Sequence, residues 1–110
     1  MEDTKTKAIR NLNQLFRTTF ITGRVVITSG ISALAEAHQS EIISKVRTFD
    51  DFTEDNDPYG EQDFGAFEHA GQKIFWKIDY YNRDMSAGSE DPADPKQTTR
   101  VLTIMLAEEY

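Results

Sequence analysis

Apolar residues in the first twenty positions fall at helical spacing. Ile9, Leu12, Leu15, Phe16 and Phe20 recur every three or four residues, with Lys7, Arg10, Asn13 and Arg17 between them. This predicts an amphipathic helix over residues 5–20, ended by Thr22 and Gly23. The β-branched run RVVIT (24–28) then predicts a short buried strand, and Ser29–Gly30 punctuates it. A second helix is expected over residues 33–48, capped by Ser32. Its early acids are Glu36 and Glu41, its apolar positions are Ile42, Ile43, Val46 and Phe49, and Lys45 and Arg47 lie near its end.

The second half has a different period. FGAFEHAGQKIFWKIDYY reads as a β-hairpin turning near Ala70–Gly71. In its second strand Ile74, Trp76, Ile78 and Tyr80 alternate with Lys73, Phe75, Lys77, Asp79 and Tyr81, so each set lines one sheet face. Residues 82–98 read as a long polar loop. TRVLTIMLA (99–107) reads as a strand that is apolar on both faces, which predicts a central position in the sheet. The order α-β-α-β-β-β predicts an α+β fold over a single domain, residues 1–110. Two helices would cover one face of a mostly antiparallel sheet of about four strands.

Composition narrows the chemistry. The chain has no cysteine, so disulfides, thiolate catalysis and cysteine-based zinc sites are excluded. No apolar run reaches membrane-spanning length and the N-terminus does not read as a signal peptide, so the expected location is cytoplasmic, with no membrane partner. The net charge of −7 is unevenly placed. Residues 1–49 carry seven Lys/Arg against four Asp/Glu, a net of +3; residues 50–110 carry five against fifteen, a net of −10. Such a balance disfavours direct nucleic-acid binding and suits a basic protein partner, although acidity also serves solubility alone.

The acids concentrate in FTEDNDPYGEQDFG (52–65). A calcium loop counted from Asp55 places Asp57 third, Gly60 sixth and Asp63 ninth. Tyr59 then falls at the fifth position and Ala66 at the twelfth, where a bidentate Glu is required, so an EF-hand is rejected. A looser metal site built from Asp55, Asp57, Glu61 and Asp63 stays open as an alternative that would support a hydrolase or nuclease. No cofactor is expected. Two histidines, His38 and His69, have no nucleophile elbow or phosphate loop beside them and read as surface residues. Asp57, Glu61 and Asp79 could supply a glycosidase pair, but so small a chain leaves little room for a saccharide cleft. Arg10, Arg17, Arg24, Lys45 and Arg47 could form a basic patch, and Lys73, Phe75 and Tyr81 a stacking surface, but no nucleic-acid-binding pattern supports either.

Protein binding is therefore the leading expectation, and the chain is not expected to be an enzyme. Two proline-stiffened acidic loops, one over 50–63 and one containing EDPADP (90–95), would form the surface. The partner-binding residues expected are Asp50, Asp51, Glu54, Asp55, Asp57, Glu61, Asp63, Tyr81, Asp91 and Asp94. The partner would be the basic surface of a host or defence protein. A homodimer, acting as an accessory or regulatory factor, is the other alternative.

The segments NDPYGEQDFG, FWKIDYY, SEDPADP and RVLTIMLAEEY, with LFRTTF and ITGRVVIT before them, cover nearly the whole chain. Together they resemble a small alphaproteobacterial family of unknown function, found on plasmids and other mobile elements. That resemblance transfers no activity and no catalytic residue. It does imply an accessory protein of the anti-defence kind, such as an anti-CRISPR or anti-restriction factor acting through acidic mimicry of nucleic acid.

Overall fold

In the computed structural model, which describes residues 3–110, helix α1 (Thr4–Thr19) leads into strand β1 (Arg24–Ile27), the one-turn helix α2 (Ser29–Ser32) and helix α3 (Glu36–Arg47). Strands β2 (Phe64–His69), β3 (Gln72–Tyr81) and β4 (Thr99–Leu106) follow, with a closing 3-10 turn at Ala107–Glu109. The sheet order is β1-β4-β3-β2. The β2–β3 and β3–β4 pairs are antiparallel and β1–β4 is parallel, so the expected α+β fold with a mostly antiparallel four-stranded sheet is the one observed. No described helix is long and apolar enough to cross a membrane.

The expected alternation sets the core. Ile74, Trp76 and Ile78 of β3 and Leu102, Ile104 and Leu106 of β4 are buried against Phe16 of α1, Ile31 of α2, and Ile42 and Val46 of α3. Each such side chain contributes about 1.5–3 kcal/mol by leaving water. Ala70 and Gly71, both at positive φ, form the hairpin turn. β4 is central, as its two apolar faces require. The opposite face of the sheet is covered by none of α1, α2 and α3. There Phe64 and Phe75 pack edge-on with Tyr110, and Lys77 pairs with Asp79 at 3.0 Å.

Four local expectations need correction. β1 is an edge strand with Arg24 and Val26 exposed, because it pairs with β4 alone and its outer face is uncovered. The helix expected over 33–48 begins only at Glu36, and a separate one-turn helix, α2, lies before it. Ser32 ends α2 and does not cap α3; the Gln39 side chain donates to the Ser32 and Leu34 carbonyls (3.1 and 2.8 Å) and holds the break between the two helices. α1 ends at Thr19, with Phe20 in the left-handed region (φ 61°) donating its N–H to Phe16 O. Finally, α1 does not turn its apolar stripe inward as a unit: Asn13 and Arg17 are buried while Leu15 is half exposed. The inward side of α1 meets loop carbonyls and the end of α3, where donors are needed as much as methyl groups.

Candidate functional site

Arg17 shows why α1 buries polar groups. The residue is 2% exposed, and its guanidinium donates to the Val46 and Arg47 carbonyls (3.0 and 3.4 Å) at the C-terminal end of α3. It also lies over the rings of Phe52 and Trp76. Burial lowers its pKa, opposed by the nearby charge of Asp50. Arg47 answers by donating from Nε to Thr18 O (3.0 Å). Arg10 donates to Gly60 O (3.1 Å). These cations therefore anchor loops and helix ends, and they do not form one open basic patch.

One turn before Arg17, Asn13 is fully buried at the centre of a polar bridge. Its Nδ2 donates to Glu61 O (2.9 Å) and to Tyr80 Oη (2.7 Å), and its Oδ1 accepts from Arg100 Nε (2.7 Å). Tyr80 Oη donates to Glu61 Oε1 (2.9 Å). Burial pushes the Tyr80 phenol well above its ordinary pKa. The Arg100 guanidinium lies over the Tyr80 ring and donates onward to Pro92 O. Glu61 belongs to the first acidic loop and Pro92 to the second, so Asn13 and Arg100 tie the two loops together through α1. Lys5 adds an ion pair to Asp91 at 3.3 Å.

The predicted partner-binding residues fall into three groups. Asp50, Asp51, Glu54 and Asp55 are exposed, and the carboxylates of Asp51, Glu54 and Asp55 have no hydrogen bond or ion pair among the described residues. Asp57, Glu61, Asp63, Asp91 and Asp94 are partly buried and have structural roles. Asp57 Oδ1 accepts from Gln62 N–H (3.0 Å) and Asp91 Oδ1 from Ala93 N–H (3.3 Å). Asp94 accepts from the Gln97 side chain and from Lys96 N–H, which lowers its pKa. Tyr81 stands apart, on the uncovered sheet face opposite Tyr80.

Asp63 is shifted the other way. Burial raises its pKa, and the negative charges of Glu61, Asp57 and Asp79 raise it further. A carboxylate with a raised folded-state pKa favours folding below its unfolded value and loses that contribution as pH rises through the folded one. Asp63→Asn is therefore expected to raise Tm by a few degrees at pH 7. The gain should vanish as pH falls below about 3.9, the ordinary Asp value. Thermal melts across that range check it, and a lower Tm at pH 7 would contradict it.

Sequence reasoning also passed over the place where the histidines meet. His69, at the end of β2, is buried, and its Nε2 lies 2.9 Å from His38 Nδ1 and 3.5 Å from Glu41 Oε2. Lys45 Nζ donates to His69 Nδ1 (3.1 Å) and to Glu68 O (3.3 Å). The residues Asp55, Asp57, Glu61 and Asp63, weighed as a metal set, form no such convergent group; among the described residues the ligand atoms that converge are those of His38, Glu41 and His69. The available signal was weak: His38 and Glu41 share a helix face at i, i+3, but His69 reaches them only through the tertiary fold.

No curated protein and no solved structure matches the chain. A family model described as a protein of unknown function (DUF3768) matches residues 27–109, from the end of β1 through the 3-10 turn, and so includes both acidic loops and the histidine pair. The chain belongs to the DUF3768 family.

Proposed function

We propose that this chain is a cytoplasmic, non-enzymatic binding protein of a bacterial mobile element. Its acidic loop face docks on the basic surface of a host protein that acts on nucleic acid, as an anti-CRISPR or anti-restriction factor would. The observation that carries this reading is the Asn13–Arg100 bridge, which pins the two acidic loops to one helix. Asp91 pairs with Lys5 near the start of α1, Gly60 and Glu61 meet Arg10 and Asn13, and Asp50 acts on Arg17 near its end. Twelve residues of helix at 1.5 Å each span about 18 Å. The two loops are thus held along one helix, and little ordering remains to be done on binding. Opposite charge at that spacing steers a basic groove onto the face and competes with a polyanion for it.

A lysine variant of Asp51, Glu54 and Asp55 tests this. These side chains are exposed, so the variant is expected to melt within a few degrees of the parent and to lose at least tenfold in affinity for whatever basic protein the parent captures from a host extract. Duplex DNA added to the captured complex should release that protein. A folded triple variant with undiminished capture would overturn the reading.

A further inference from the structure

We propose that His38, Glu41 and His69 form a binding site for a borderline divalent cation of the zinc class. This inference is independent of the docking surface. Both ring nitrogens and the carboxylate oxygen lie within 4.8 Å of one another. A tetrahedral ion with bonds of about 2.05 Å holds its ligand atoms about 3.3 Å apart. The observed separations from His69 Nε2, 2.9 Å to His38 and 3.5 Å to Glu41, bracket that value. Two imidazoles and one carboxylate are a ligand set that suits Zn²⁺ and disfavours Mg²⁺ or Ca²⁺, which prefer oxygen throughout. His38 and Glu41 are exposed and His69 is buried, so the site has a fixed floor and a solvent-facing fourth position. An ion held there links α3 to the tip of the β2–β3 hairpin.

Lys45 acts as a brake on this site. Its ammonium donates to His69 Nδ1, which places the ring proton on Nε2, directed at His38. An ion on Nε2 requires that proton on Nδ1, where it faces the Lys45 donor. Lys45 must then withdraw to its other acceptor, the Glu68 carbonyl. A carboxylate in place of the ammonium would instead accept the Nδ1 proton, as the outer partners of metal-bound histidines do.

The test is titration of tag-free protein with Co²⁺ and Zn²⁺, followed by calorimetry and by the visible absorption of tetrahedral Co²⁺. One equivalent should bind in the micromolar range, with His38→Ala and Glu41→Gln each weakening it at least tenfold. Both residues are exposed, so both variants fold. Lys45→Glu should tighten binding by about tenfold. The proposal fails if no saturable binding occurs below millimolar metal, or if His38→Ala binds as the parent does. It also fails if binding is lost only when Asp55 and Asp57 are replaced, or if Lys45→Glu leaves affinity unchanged.

Discussion

Asn13→Leu is expected to destabilise the protein by about 3 kcal/mol and to lower Tm by roughly 15 °C. Asn13 is fully buried, and its amide serves three groups at once. Leucine keeps the branched shape but leaves Arg100 Nε, the Glu61 carbonyl and Tyr80 without that partner, in a place water does not reach. The largest part of the cost is the buried Arg100 charge, 4% exposed, which loses its side-chain acceptor. A double-mutant cycle isolates the pair. Arg100→Met removes the charge that Asn13 serves, so the combined variant should lose less than the two single losses added together, by about 1 kcal/mol or more. Denaturant unfolding of the four proteins gives the answer, and strict additivity would show that the bridge is not cooperative. The loss should also loosen both acidic loops, so partner capture should fall even under conditions where the variant is folded.

That bridge lies where sequence reasoning reaches its limit. The alternation of β3 was legible because Ile74, Trp76, Ile78 and Tyr80 repeat at the pleat's own period, and one solvated face leaves that period clean. The central place of β4 followed from apolar residues on both of its sides. Asn13 and Arg17 were not legible as interior residues. A helix-period reading assigns polar side chains to water, and only the fold reveals that α1 lies against open carbonyls of a loop and of another helix. The exposure of β1 was hidden for a related reason, since RVVI has the composition of a buried strand and its parallel partner lies at the far end of the chain. The acidic loops could be found by counting charge. That Glu61 and Asp57 are committed to internal hydrogen bonds, while among the described residues none reaches the carboxylates of Asp51, Glu54 and Asp55, could not.

Gly65→Ala is expected to cost at least about 3 kcal/mol, at the upper end for an overpacked core. Gly65 pairs with Trp76 across the β2–β3 ladder, and the indole lies over it. A Cβ at Gly65 would overlap Trp76 Nε1 and stand 2.6 Å from Cε2. The ring has nowhere to go: Phe49 and Phe52 pack edge-on against it, and the Arg17 guanidinium lies over it at 5.3 Å. The clash must be met by separating β2 from β3 or by expelling the chain's one tryptophan from the core. Either outcome should shift Trp76 fluorescence to the red. Shortening the obstacle should restore the fold in part, so Gly65→Ala combined with Trp76→Leu should be more stable than Gly65→Ala alone. A single variant with parental emission and Tm would show that the ring or the ladder accommodates the added methyl group.

The parallel pairing of β1 with β4 also has a consequence for synthesis. The strand that emerges first must wait for the one that emerges last, because β4 is inserted between β1 and β3 and no earlier segment takes its place. A ribosome-bound chain that has not reached Thr99 has the β2–β3 hairpin with its apolar face unfinished and two strand edges open to other chains. The sheet therefore cannot close until Thr99–Leu106 has left the ribosome. During that interval the charge repulsion of the acidic loops opposes pairing of those open edges with other chains.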